Sequence, residues 1–253
     1  MTQLRVKGLS RSFGGLKAVD DVDFTVAKGS VHAVIGPNGA GKTTLFNLVT
    51  GICTPSAGSI TFDGVEVSGR APFELARLGM SRTFQNLQVC MNMSAVENVM
   101  VGAHLHLAQG LLASILHLPR LRRADADCRR RCLELMELVG LGNWLGAHAS
   151  EMPYGALKRL EIARALASRP GMVLLDEPAA GLNDTETREM EALVRQISDS
   201  GVTVVLVEHD MKLVMNLSDH VLVLDHGRKL AEGTPAQVRA NPEVIAAYLG
   251  EPA

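Results

Sequence analysis

Between the apolar run Val31–Ile35 and the apolar positions Leu45, Leu48 and Val49 lies Gly36-Pro37-Asn38-Gly39-Ala40-Gly41-Lys42-Thr43-Thr44, a match to G-x-x-x-x-G-K-[ST]. The flanks supply the setting this loop needs, a buried strand before it and a helix after it. That requirement restricts the chain to an α/β architecture of the P-loop NTPase kind. Glycines let backbone N–H groups wrap a phosphate without side-chain obstruction, and the helix N-terminus adds about +0.5 charge. Lys42 is expected to reach the β- and γ-phosphates of a nucleotide, and the Thr43 hydroxyl to coordinate Mg²⁺.

A second segment, Met172-Val173-Leu174-Leu175-Asp176-Glu177-Pro178, is an apolar strand ending in adjacent carboxylates. Beside a phosphate loop this is a Walker B pattern. Asp176 is expected to hold Mg²⁺, directly or through water, and Glu177 to polarise the attacking water.

The remaining composition narrows the class. Length gives a prior between one and two domains for 253 residues. Apolar residues at 47% against 21% charged exclude a disordered chain. Lys plus Arg against Asp plus Glu is 25 − 27 = −2, and aromatics are 4%, so neither a basic footprint nor a stacking surface for nucleic acid is present. Four cysteines make no disulfide scaffold, and Cys128 and Cys132 have no second pair at ligand spacing. His104, His106, His117 and His148 show no metal spacing either. No apolar run approaches the ~18 residues of a membrane span; the best is Gly110–Leu118. Met1–Lys7 lacks the apolar segment of a signal peptide. If the protein works at a membrane, it works from the side.

Local patterns organise the chain. Val22, Phe24 and Val26 alternate with polar residues as in a half-buried strand, and Ser59–Phe62, Asp63-Gly64 and Val65–Val67 read as a hairpin. Ser94-Ala95-Val96-Glu97 is a capping box opening a helix. From about His104 to Gly140 the pattern is helical, with Arg120, Arg122, Arg123, Arg129, Arg130 and Arg131 on it. That charge reads first as a solvated face and second as a membrane-surface or partner contact. After Gly155, strands Val202–Val207 and Val221–Leu224 alternate with helices, including one with Met190, Leu193, Val194 and Ile197 on one face. Thr234-Pro235 and Asn241-Pro242 each pair an N-cap with Pro at the first helical position.

What separates P-loop classes is the stretch Glu151-Met152-Pro153-Tyr154-Gly155-Ala156-Leu157-Lys158-Arg159-Leu160-Glu161-Ile162-Ala163-Arg164. It resembles the signature segment of ABC-type ATPases, about twenty residues ahead of Walker B. Other elements follow in the family's order: Gln85 in Thr83-Phe84-Gln85-Asn86 at the Q-loop, Gly181-Leu182-Asn183 at the D-loop, and His209 in Glu208-His209-Asp210 at the switch. Phe13 sits where the family places an aromatic under the adenine. The resemblance covers essentially the whole chain. It implies ATP and Mg²⁺ as cofactors, with Phe13 and Gly36 through Thr44 on ATP, and Thr43, Gln85 and Asp176 on Mg²⁺. Lys42, Glu177 and His209 would be catalytic, and Pro153, Tyr154 and Gly155 would act on a partner's ATP.

The wording from Arg82-Thr83-Phe84-Gln85-Asn86 to the terminal Tyr248-Leu249-Gly250-Glu251 looks like the branched-chain amino acid importer branch. The resemblance implies one ABC cassette over 1–253. Its RecA-like core and N-terminal antiparallel β subdomain would span 1–85 and 160–253, with an inserted helical subdomain over 86–159. It also implies pairing with a second ATPase subunit, a different chain or another copy, beneath two permease subunits fed by a periplasmic binding protein. The place of work would be the cytoplasmic face of the inner membrane. Alternatives are urea, amide or envelope-lipid cargo on the same architecture, or a soluble ABC ATPase acting on ribosomes or DNA. Two departures from the family stand out: Pro153 replaces the usual signature Ser, and Ala156 the usual Gln. Pro153 offers neither hydroxyl nor N–H, though a first helical residue tolerates Pro.

Overall fold

A computed structural model describes residues 1–106 and 119–249. In chain order its strands are β1 (Thr2–Phe13), β2 (Leu16–Ala27), β3 (Val31–Ile35), β4 (Ala57–Phe62) and β5 (Val65–Glu66). Then come β6 (Met80–Arg82), β7 (Met172–Asp176), β8 (Thr203–Val207), β9 (His220–Asp225) and β10 (Arg228–Gly233). The helices are α1 (Lys42–Val49), α2 (Pro72–Arg77), α3 (Ala95–Gly102), α4 (Pro119–Leu138) and α5 (Tyr154–Ala167). They continue with α6 (Asp184–Asp199), α7 (Met211–Leu217), α8 (Pro235–Arg239) and α9 (Pro242–Leu249).

The chain divides into two units, Met1–Arg82 with Gly171–Ala253, and Thr83–Pro170. In the first, burial along β2 alternates, placing Val22, Phe24 and Val26 in the core. The antiparallel sheet runs β2-β1-β4-β5. Asp63 and Gly64, both at positive φ, close the β4–β5 hairpin at the anticipated turn. The second sheet of this unit runs β10-β9-β3-β8-β7-β6, parallel except for β10. β3, β7 and β8 are buried at every residue, as strands covered on both faces must be. Because β3 pairs with β8 on one side and β9 on the other, the loop after β3 leaves the middle of the sheet. Strand order changes direction there, the position at which open α/β sheets bind ligands.

The second unit is helical. Ser94 caps α3 through the foreseen box, its hydroxyl accepting from the Glu97 N–H while Glu97 accepts from the Ser94 N–H. Cys128 and Cys132 of α4 are buried, and Arg129 and Arg130 are exposed, as on a solvated helix face. The side chains of Arg120, Arg122 and Arg123, and the segment containing His117, lie outside the described residues. This unit is wider at both ends than the 86–159 span expected from sequence. α5 runs unbroken past residue 160 to Ala167, so no boundary can fall inside its hydrogen-bonded turns. No described helix is long and apolar enough to cross a membrane.

Candidate active site

Gly36 to Gly41 joins β3 to α1 through a backbone that side chains could not follow. Gly36, Gly39 and Gly41 all have positive φ. A Cβ on Gly36 would lie 2.1 Å from the Leu224 carbonyl, and one on Gly41 2.4 Å from that of Ala18. The loop is thus pressed against β2 and β9 and can only be glycine at those positions. Gly41 is the N-cap of α1 and offers no side-chain cap, which leaves the first N–H groups of the helix for an external acceptor. The Lys42 ammonium folds back over the loop and donates to the carbonyls of Gly36 (2.7 Å) and Pro37 (2.9 Å). Burial lowers the Lys42 pKa, while the Glu177 carboxylate pulls it upward. Thr43, next on α1, is exposed.

Asp176 ends β7 and is buried; its Oδ2 accepts from Arg82 Nη2 at 2.8 Å. Arg82 also donates to Asn47 Oδ1 (2.7 Å) and Thr50 Oγ1 (2.9 Å), so one guanidinium joins the Walker B strand to α1. Breaking a buried pair of this kind by removing one partner costs about 3–5 kcal/mol. Glu177 sits at φ 48, a left-handed conformation that a non-glycine residue before proline adopts only under constraint. Its N–H donates to Val207 O at 3.0 Å, which holds that conformation against β8. Such local strain gathers where a side chain must be aimed.

His209 Nδ1 is 3.9 Å from Glu177 Oε1, within ion-pair range and beyond a hydrogen bond. The preceding residue, Glu208, is buried and accepts from the backbone N–H groups of Ala179 (2.9 Å) and His209 (3.3 Å). Burial raises its pKa. Glu208 therefore ties the backbone of Ala179, just ahead of Gly181, to that of His209. Gly181 and Leu182 line a cleft of about 640 Å³ together with His209. Asn183 caps α6, its Oδ1 accepting from Thr185 and Glu186 N–H, both at 3.0 Å. An Asn serves there because the cap needs only a side-chain oxygen.

Phe13 is exposed, with the Arg11 guanidinium 4.7 Å from the centre of its ring. Arg11 is itself fixed by donating to Thr54 O at 2.8 Å. One face of the ring is thereby backed by a cation.

In the helical unit, Gln85 is exposed within an irregular stretch. Pro153 is the N-cap of α5, one position earlier than the first helical residue expected for it. Its fixed φ of −67 suits the extended cap, and its carbonyl accepts the first helical bond from Leu157 N at 3.0 Å. It makes no side-chain cap, so the N-terminal amides of α5 remain bare. Tyr154 is exposed, and Gly155 and Ala156 are buried.

Arg82 and Glu208 were missed by sequence reasoning. Arg82 lies 94 residues from Asp176, and no short-range spacing reveals it. Glu208 stands beside His209, and a carboxylate directly after the apolar run Val204–Val207 was the available signal. Among the described residues no group of three or more His, Cys, Asp or Glu is placed to hold a metal.

A family model described as ABC transporter matches residues 19–180, and one described as branched-chain amino acid ATP-binding cassette transporter matches residues 228–253. The chain is 47% identical over 249 residues to the high-affinity branched-chain amino acid transport ATP-binding protein BraF of Pseudomonas aeruginosa, covering 98% of each. It is 43% identical, at the same coverage, to the LivG protein of Escherichia coli K12 that bears the same description. A crystal structure of the ADP conformation of an ATP-binding cassette of an ABC transporter superposes with a TM-score of 0.87 at 31% identity, over 99% of this chain and 100% of that one. A nucleotide-free cassette from an ABC transporter gives 0.86 at 31% identity, with the same coverage. With a phosphate loop, a Walker B strand and a family model spanning more than half its length, the chain belongs to the ABC transporter family, as one of its ATP-hydrolysing cassettes.

Proposed function

We propose that this chain is the ATPase subunit that powers import of branched-chain amino acids, working from the cytoplasmic face of the membrane with a second ATPase subunit and two permeases. A periplasmic binding protein would deliver the cargo. The observation that carries the nucleotide reading is Lys42, its ammonium lodged on two loop carbonyls above a run of left-handed glycines. The cargo rests on the 47% identity to a protein described by that transport and on the match at 228–253.

The residues fit the nucleotide. Loop amides and the bare N-terminus of α1 donate to phosphate oxygens, Lys42 exchanges its carbonyl partners for them, and Phe13 takes the adenine on the face away from Arg11. Thr43 and Asp176 are hard oxygen donors suited to Mg²⁺, and Gln85 keeps the role that the family resemblance gives it. When bound, the ion neutralises charge on the phosphate oxygens. Glu177 takes a proton from the attacking water, and His209 orients that water and hydrogen-bonds the γ-phosphate. Pro153, Tyr154 and Gly155 would complete the ATP site of the paired subunit, with Gly181, Leu182 and Asn183 along the seam. Only a ligand that binds the closed pair better than the open one drives closure, and ATP shared between two subunits provides that difference.

The test is ATPase activity and uptake of leucine, isoleucine and valine by the assembled transporter in proteoliposomes. Lys42→Ala should lower hydrolysis roughly 10²–10³-fold and stop uptake. Near-wild-type hydrolysis in that variant would overturn the phosphate-loop assignment. Active hydrolysis without stimulation by any of the three amino acids would overturn the cargo.

A further inference from the structure

The irregular segment from Thr83 to Met93 holds Gln85 and lies outside any strand or helix, yet backbone groups at Phe84, Gln88 and Cys90 are bonded. Side chains of its own unit do this. Asn98 of α3, buried, accepts from the Cys90 N–H (2.8 Å) and donates to the Cys90 carbonyl (3.0 Å). Glu161 of α5, also buried, accepts from the Phe84 N–H at 3.2 Å and from the Gln88 N–H. Arg164, one turn further along α5, donates to the Gln88 carbonyl. The two α5 side chains therefore bracket residues 84–88, with Gln85 between the clasps.

The same helix begins at Tyr154. The Lys158 ammonium lies 5.7 Å from the Tyr154 ring centre, and Lys158 and Glu161 attract each other electrostatically. A cation–ring approach, an electrostatic attraction and hydrogen bonds thus lead in turn from Tyr154, through Lys158 and Glu161, to the backbone on both sides of Gln85. Placing a carboxylate there is costly: burial pushes the Glu161 pKa up, opposed by its bonds to Phe84 and Gln88 and by Arg164 and Lys158. A buried carboxylate this fully engaged fixes geometry, since an apolar residue would fill the space without joining loop to helix.

We propose that Glu161, with Arg164, is a positioning residue that locks the Gln85 segment to the signature helix, so that a change at either is transmitted to the other as one body. This rests on the nucleotide reading above only for the source of the change; the lock itself is a property of the helical unit.

The test is amide hydrogen exchange on the full chain. Without nucleotide, Glu161→Leu should speed exchange at Phe84 and Gln88 roughly tenfold or more, and Glu161→Gln, which keeps an acceptor oxygen, should stay within about threefold of wild type. Exchange at these amides equal in wild type and Glu161→Leu would overturn the lock. With Mg²⁺ and a non-hydrolysable ATP analogue, residues 84–90 and 154–157 should slow together in wild type and in Glu161→Gln, and separate in Glu161→Leu. A loss of stability alone would not separate them. If 154–157 still follows 84–90 in Glu161→Leu, the transmission is overturned. Arg164→Met removes the other clasp and should separate the two segments in the same way, which keeps the test available if Glu161→Leu does not fold. Failure of the nucleotide reading has a different signature: no slowing at residues 36–44 of the wild type, while the nucleotide-free comparison still decides the lock.

Discussion

The unit that carries the phosphate loop and the unit that carries Tyr154 are built by different means. In the first, the loop is held by backbone: left-handed glycines packed against the Ala18 and Leu224 carbonyls, and strands β3, β7 and β8 buried along their length. Of its catalytic candidates, Glu177 and His209 follow the ends of β7 and β8, and Lys42 opens α1 directly after the loop. In the second, side chains do the holding. Glu161, Arg164 and Asn98 reach across to an irregular stretch, and the signature end of α5 is a proline cap with bare amides. Backbone ladders make a site rigid before anything binds, whereas side-chain clasps join segments that can shift together. The first design suits a fixed phosphate cradle and the second suits a part that moves.

The largest effect expected from this contrast is at Glu177. Glu177→Gln should cut hydrolysis about 10²–10⁴-fold with ATP affinity preserved, because the loop proposed to grip phosphate is held by its own backbone and not by this side chain. Loss of ATP binding in a fluorescence assay would make Glu177 a ligand-holding group and break the division between cradle and base.

Pro153 tests the other unit. On the proposed pairing, a serine at the same extended cap geometry would offer a donor to the partner's γ-phosphate, and a hydrogen bond to a charged group is worth about 1.5–3 kcal/mol. Pro153→Ser should therefore raise the steady-state ATPase of the isolated chain roughly tenfold or more. The hydroxyl can also cap α5, worth about 0.5–2 kcal/mol of stability. A higher melting temperature with unchanged turnover would show that Gly155 and the helix amides already suffice, and that the bare cap is no handicap to catalysis.

A smaller effect sharpens the comparison through acid. His32 in β3 is buried between the Phe24 and His220 rings, its Nε2 makes no hydrogen bond, and burial followed by the nearby His220 lowers its pKa to about 3. The folded state thus stays neutral where the unfolded state, near 6.5, takes up a proton. Stability from this group is complete above about 6.5 and falls as the pH drops toward about 3, by up to about 1.4 kcal/mol per pH unit. His32 belongs to the core unit, whereas the single tryptophan, Trp144, belongs to the helical one. Acid should therefore melt the sheet signal before Trp144 fluorescence changes, and His32→Leu should bring the two transitions closer. Coincident transitions in the wild type would mean that the units unfold as one.

By itself the sequence determined what short spacing can encode. The loop from Gly36 to Thr44, the Asp63-Gly64 hairpin, the Ser94–Glu97 box, the Thr234-Pro235 cap and the buried face of α6 each rest on residues within a few positions of one another. Local geometry has one cheap solution for each, so the residues alone suffice. Only the tertiary structure decided which distant groups meet. Arg82 closes on Asp176 across 94 positions, Glu161 on Phe84 across 77, and Gln3 on Thr203 across 200. It also put Pro153 at the cap of α5 rather than inside it, and carried the helical unit past the expected boundary to Pro170. These outcomes depend on which strand lies between which, here β3 between β8 and β9, and on buried charges whose partners no periodicity announces. A side chain far along the chain becomes a neighbour only after the sheet order has been set, and that order is fixed by packing over the whole core.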